Sequence, residues 1–136
     1  MRTDPLTDED EELIAAAKAT LADCHVAGRH RCAAAMRSTT GEVYTSINLM
    51  TGGVTDVHAE PIALAKAVEA GDPDIETSVA VIYEDDDASN PAEVVAACGV
   101  CRELLHAFVP EVAIIVPGED GPVRAPLSEL LPASPY

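Results

Sequence analysis

His58-Ala59-Glu60 and, farther along, Cys98-Gly99-Val100-Cys101 are the stretches on which the reading of this chain turns. They supply one imidazole, two thiols at Cys-x-x-Cys spacing and one carboxylate. A catalytic zinc site keeps three protein ligands and leaves its fourth position to water. His58, Cys98 and Cys101 meet that count, which leaves Glu60 over as a general acid/base. Each motif is expected to open a helix, whose partial positive charge favours thiolate at Cys98 and Cys101. Two thiolates and a neutral imidazole offset the two charges of a zinc ion on formal count.

The segments around the motifs set the fold. Residues 60–70 are rich in Ala and Leu, with Pro61 suited to a first turn and Gly71 to a C-cap. Residues 98–109 read as a second helix carrying Cys98 and Cys101 on its first turn and stopped by Pro110. Between them, Thr77 to Tyr83 is a Val- and Ile-rich run suited to a buried strand, and Glu84 to Pro91 is acidic loop. Val112 to Val116 is another apolar strand, Gly121-Pro122 a turn, Val123-Arg124-Ala125 an extended piece, and Ser128 to Leu131 a short helix. Upstream, Thr7 with Asp8, Glu9 and Asp10 signals a helix start, and Leu13, Ile14, Ala17 and Leu21 share one face. Residues 31–37 and 42–49 form a hairpin across Thr39-Thr40-Gly41, and Thr51-Gly52-Gly53 loops into the first motif. Helix, two strands, then strands alternating with helices predict a three-layer α/β/α fold: one domain over 1–136 with a mixed sheet of about five strands.

Composition narrows the function classes. The 136 residues are 48% hydrophobic but only 3% aromatic, so Ala, Val, Ile and Leu must build the core. No apolar run nears the ~20 residues that span a bilayer, and Met1-Arg2-Thr3-Asp4-Pro5 lacks a signal-peptide pattern. A cytoplasmic protein without membrane partners is expected. The net charge is −16, from 24 acidic and 8 basic residues, which disfavours nucleic-acid partners. An acidic surface whose lysines are Lys18 and Lys66 fits a halophilic source; a GC-rich genome would also deplete Lys. Among four cysteines, Cys24 and Cys32 lack ligand spacing and are expected to be structural.

Alternatives at the motifs are a closed structural zinc site, with His25, His30 or His106 as fourth ligand, and a redox dithiol, which leaves His58 and Glu60 unexplained. Asp85-Asp86-Asp87 reads as solvated loop in preference to a metal site. A zinc ion lowers the pKa of a bound water to about 7. Glu60 would shuttle protons from that water to a ring nitrogen and then to departing ammonia.

His-x-Glu followed by Pro-Cys-x-x-Cys marks the zinc-dependent base deaminases, with Ala97 here at the Pro position. Cys98-Gly99-Val100-Cys101-Arg102-Glu103-Leu104, the tail Glu129-Leu130-Leu131-Pro132 and the hairpin end Ile47-Asn48 resemble the cytidine deaminase superfamily over nearly the whole chain. Its length, Thr51-Gly52-Gly53 and Leu131-Pro132-Ala133-Ser134 resemble the blasticidin-S deaminase branch. The resemblance implies a Zn2+ enzyme that hydrolytically deaminates a cytosine nucleoside, with His58, Cys98 and Cys101 as metal ligands and Glu60 as catalytic acid/base. It also implies that the Ala59 N–H binds the pyrimidine carbonyl, that Asn48 contacts the sugar or its replacement, and that the chain is a homo-oligomer, tetramer or dimer. Another amino-heterocycle as substrate, a nucleic-acid-editing deaminase and a non-catalytic zinc-binding member stay open beside it. Three positions depart from the family. Met50 stands where a ribose-binding Glu is expected, His30 or Arg31 where an aromatic residue packs on the pyrimidine, and Ala97 where Pro fixes the backbone. The ring chemistry is retained while the sugar-reading set is altered. Whether His30, Arg31 or Tyr136 reaches a substrate is open at this point.

Overall fold

A computed structural model describes residues 1–131. Tyr136 and the Pro132-Ala133-Ser134 tail lie outside them. The elements run α1 (Asp8–Cys24), β1 (Cys32–Ser38), β2 (Val43–Ile47), α2 (Ala59–Glu69), β3 (Ile75–Ile82), β4 (Glu93–Val95), α3 (Gly99–Phe108), β5 (Ala113–Val116), β6 (Val123–Pro126) and α4 (Leu127–Leu130). The sheet order is β2-β1-β3-β5-β6, and β4 also pairs with β3. β3–β5 is parallel and the other pairs are antiparallel. The mixed sheet therefore has six strands, one more than expected. The addition is β4, a strand of only three residues beginning two past Pro91, too short to leave a period-2 signal.

Alternation along β1 divides the core. Ala33 and Ala35 face α1, packing with Leu13, Ile14, Ala17 and Leu21. Ala34 and Met36 face the other way, into Ala63, Leu64 and Ala67 of α2 and Cys101 and Leu105 of α3. With both faces covered, β1 is buried along nearly its full length, as a central strand requires. The small Ala side chains let the helices approach closely.

α2 on the motif face and α1 on the opposite face both have well-defined ends. α2 stops in a Schellman arrangement: Gly71 has φ +72°, its N–H donates to the Val68 carbonyl and the Asp72 N–H to that of Ala67, with Gly at the left-handed position as expected. α1 begins with a reciprocal capping box, the Asp10 N–H donating to Thr7 Oγ1 and the Thr7 N–H to the Asp10 carboxylate. Buried Asp10 also receives Arg37 of β1 at 3.1 Å and Arg124 of β6 at 2.8 Å.

Candidate metal centre and active site

His58 and Cys98 occupy the same structural position. Each is an N-cap in extended backbone, His58 before α2 at φ −73°, ψ 158° and Cys98 before α3 at φ −71°, ψ 169°. The expected helix starts lie within a residue of these. Because α2 and α3 pack on the same sheet face, their N-termini converge. His58 Nδ1 lies 3.1 Å from Cys98 Sγ and 3.3 Å from Cys101 Sγ. The three ligand atoms fall within 4.8 Å of one another, and among the described residues the group stops at three.

The spare histidines are not members of that group. His25 packs edge-on against Tyr83 and lies 3.8 Å from Asp86, while His30 contacts the Asn48 carbonyl. The acidic loop is spent on its own structure. Asp85 accepts from Ser89 and Asn90, Asp86 from the Gly28 N–H, and Asp87 from the Ser89 N–H.

Electrostatics at the cluster call for a cation. Cys101 is fully buried and Glu60 is 6% exposed. Burial first, then the Glu60 charge and the Cys98 thiol, push the Cys101 thiol far above its ordinary range. Burying a second negative group beside a carboxylate is costly without a compensating charge. One imidazole and two thiols within a few ångströms is a donor set suited to zinc, so the residues fit the metal implied by the sequence.

Cys32, expected to be structural, is half-buried. Burial, then Glu60, push its thiol up to about 11, with Cys98 contributing and Arg31 opposing. The Glu60 carboxylate thus acts on both Cys32 and Cys101. Cys24, by contrast, is exposed at the end of α1.

Asn48 follows β2 and is fixed by its own amide oxygen. Oδ1 accepts the Arg31 N–H at 2.7 Å and the Cys32 N–H at 3.0 Å. Two converging donors identify that atom as oxygen, so the NH2 is turned away from them. Past Ile47 the hairpin departs from regular register. The Asn48 N–H donates to the Cys32 carbonyl, but the Met50 N–H donates to Arg29 where regular register would give His30. Beyond the bulge, Leu49 and Val57 exchange two backbone hydrogen bonds, bringing the chain back to His58. Between them, Asp56 gathers the Thr51 N–H and hydroxyl and the Gly53 N–H.

Two positioning contacts support the cluster, Ser46 without a signal in the sequence and Arg102 within the segment that carries the resemblance. Ser46, 2% exposed in β2, donates to the Ala59 carbonyl at 2.5 Å and pins the turn that carries Ala59 and Glu60. Arg102 donates through Nε to the Ala97 carbonyl at 2.7 Å and through Nη1 to that of Leu130. It restrains the approach to Cys98, where Pro is missing.

The chain is 32% identical over 135 residues to a blasticidin-S deaminase from Bacillus cereus, spanning 97% of this chain and 96% of that protein. No family model matches it. Among solved structures, cytidine deaminase from Bacillus anthracis is similar with a TM-score of 0.77 at 25% identity, over 94% of this chain and 89% of that one. Cytidine deaminase from Burkholderia pseudomallei follows with a TM-score of 0.73, over 95% and 99% of the two chains. At 21% identity that second likeness is one of fold.

Proposed function

This chain belongs to the cytidine deaminase superfamily, and from that premise we propose that it is a zinc-dependent hydrolase releasing ammonia from a cytosine nucleoside or a nucleoside of the blasticidin type. The observation that carries the reading is the convergence of His58, Cys98 and Cys101 beside a buried Glu60. His58, Cys98 and Cys101 would hold the metal. When bound, zinc supplies a Lewis acid that brings the pKa of a water to about 7. Glu60 takes a proton from the attacking water and passes it to the ring nitrogen. The water oxygen bonds to the carbon bearing the amino group; Glu60 then takes the proton left on that oxygen and delivers it to the amino nitrogen, and the C–N bond breaks to free ammonia as the carbonyl forms.

Burial of Glu60 among thiols keeps the shuttle out of bulk water. Ala59, in the first turn of α2, has an N–H with no partner inside its helix, available to a ring carbonyl. Asn48 offers its NH2 to the sugar. A family origin and an open site also support a homo-oligomer in which a second copy covers the metal ligands: His58 and Cys98 are exposed, as are Val54 at 82% and Val100 at 68%. Light scattering should then give more than one chain per particle.

The test is ammonia release by zinc-loaded protein from cytidine, deoxycytidine, cytosine and blasticidin S. Glu60→Gln should retain its zinc and lose about 10²- to 10⁴-fold in kcat. Undiminished turnover in that variant removes Glu60 from its role, and silence of the zinc-loaded wild type across the panel removes the activity.

A further inference from the structure

The two N-caps at the cluster are alike in a second respect. His58 and Cys98 both stand where a side chain ordinarily accepts from the first free N–H groups of a helix, and neither makes that bond. Their side chains meet each other at the cluster instead. Both helix starts are braced from outside. Arg102 holds the Ala97 carbonyl before α3, and Ser46 holds the Ala59 carbonyl at the start of α2.

The brace matters most in α2. Glu60 is followed by Pro61. A residue before proline prefers extended backbone, yet Glu60 already lies inside the helix. Pro61 also has no N–H to add to the first turn. Local preference therefore runs against the helical course of the chain at Glu60, and a contact from another element has to hold it. Ser46 is placed to do so. It lies on β2 opposite Ala34, on the sheet face that α2 covers, and is 2% exposed. Its hydroxyl donates at 2.5 Å to the carbonyl of the peptide that joins Ala59 to Glu60. His58 has a separate support, since Val57 before it is fixed by the two hydrogen bonds with Leu49.

We infer that Ser46 is a positioning residue for Glu60: through the Ala59–Glu60 peptide it sets the direction in which the carboxylate leaves the helix, in place of the cap that His58 gives up. The inference rests on the deaminase reading and adds to it a residue that works only through Glu60.

The experiment uses zinc-loaded protein and whichever of cytidine and blasticidin S the wild type turns over faster. Wild type is compared with Ser46→Ala, Glu60→Gln, the two combined, and Lys66→Met. Lys66 Nζ donates to the Thr45 carbonyl at 2.6 Å, so Lys66→Met breaks a second tie between α2 and β2, away from Glu60. Ser46→Ala strands no buried group, because the Ala59 carbonyl keeps its partner within the helix. Its kcat should fall about tenfold, with KM and the zinc affinity from chelator competition each within about twofold of wild type, the effect of one lost hydrogen bond. Lys66→Met should stay within about twofold in kcat, as surface changes do. In the Glu60→Gln background Ser46→Ala should change the remaining rate by less than about twofold, because the group it positions is gone. The same fractional loss in both backgrounds overturns the inference while leaving the deaminase reading intact. So does an unchanged kcat in Ser46→Ala, a fall in its zinc affinity that matches its fall in kcat, or an equal fall of kcat in Lys66→Met. Wild-type silence on both compounds is a different result: it overturns the deaminase reading, and the role of Ser46 with it.

Discussion

Arg102 grips two carbonyls from the start of α3, that of Ala97 just before Cys98 and that of Leu130 in α4. Charge-assisted bonds of this kind are stronger than neutral ones, and here they restrain a loop whose sequence offers no proline. Arg102→Met should preserve the α3 helix while loosening Cys98. Zinc affinity, measured by competition with a chelator, should fall about 10- to 100-fold, the usual cost of losing an outer contact to a metal ligand. Unchanged affinity would assign Arg102 to α4 packing alone. Residue types at the cluster were legible because ligand chemistry restricts them: His58, Cys98, Cys101 and Glu60 have few other reasons to share such spacing. Ser46, Cys32 and the amide orientation of Asn48 were not legible, because each depends on the hairpin register. A one-residue bulge decides which N–H groups Asn48 meets, and no local pattern encodes it.

The best-specified element is α1. Thr7 and Asp10 cap it reciprocally, and Asp10 then joins it to β1 and β6 through Arg37 and Arg124. Burial alone pushes the Asp10 carboxyl up; the Thr7 N–H, Arg124 and Arg37 together outweigh this and leave it below the ordinary carboxylate range. A carboxyl depressed on folding contributes stability above its unfolded pKa, and that contribution is lost as pH falls through the folded value. The protein should hold this increment at neutral pH and lose it below about pH 4. In Asp10→Asn, acid titration of the melting temperature should be flatter. Thr7→Ala should cost about 1 kcal/mol in denaturant unfolding. Asp10→Ala should cost about 3–5 kcal/mol, because it strands two arginines in a largely buried setting; a loss no larger than that of Thr7→Ala would mean the network is dispensable. Long elements were readable from caps and periodicity, whereas β4 was not. Glu93-Val94-Val95 is a strand only because Ile82, Val81 and Ala80 of β3 lie opposite, so its cause is tertiary.

At the scale of the molecule, the sheet carries one apolar cluster on each face inside a shell of net charge −16. Like charges at such density repel, and added salt shortens the range of that repulsion to about 3 Å at 1 M. If the composition records adaptation to high salt, the unfolding midpoint should climb steadily between 0.1 and 1 M salt. A flat response would point to genome composition instead. The layer order was legible from the succession of elements, since parallel pairing of β3 with β5 follows from the helix between them; the total of six strands was not. Among the described residues no helix is long and apolar enough to cross a membrane. One last feature bears on how such a chain can diversify. Leu49 and Val57 close the base of the segment between Asn48 and His58 with two hydrogen bonds. Residues 50–56 are thereby a cassette: they can be lengthened, shortened or exchanged above the clasp while the residues below it keep their spacing. Change within it leaves Asn48 and His58 in their places on either side of the clasp.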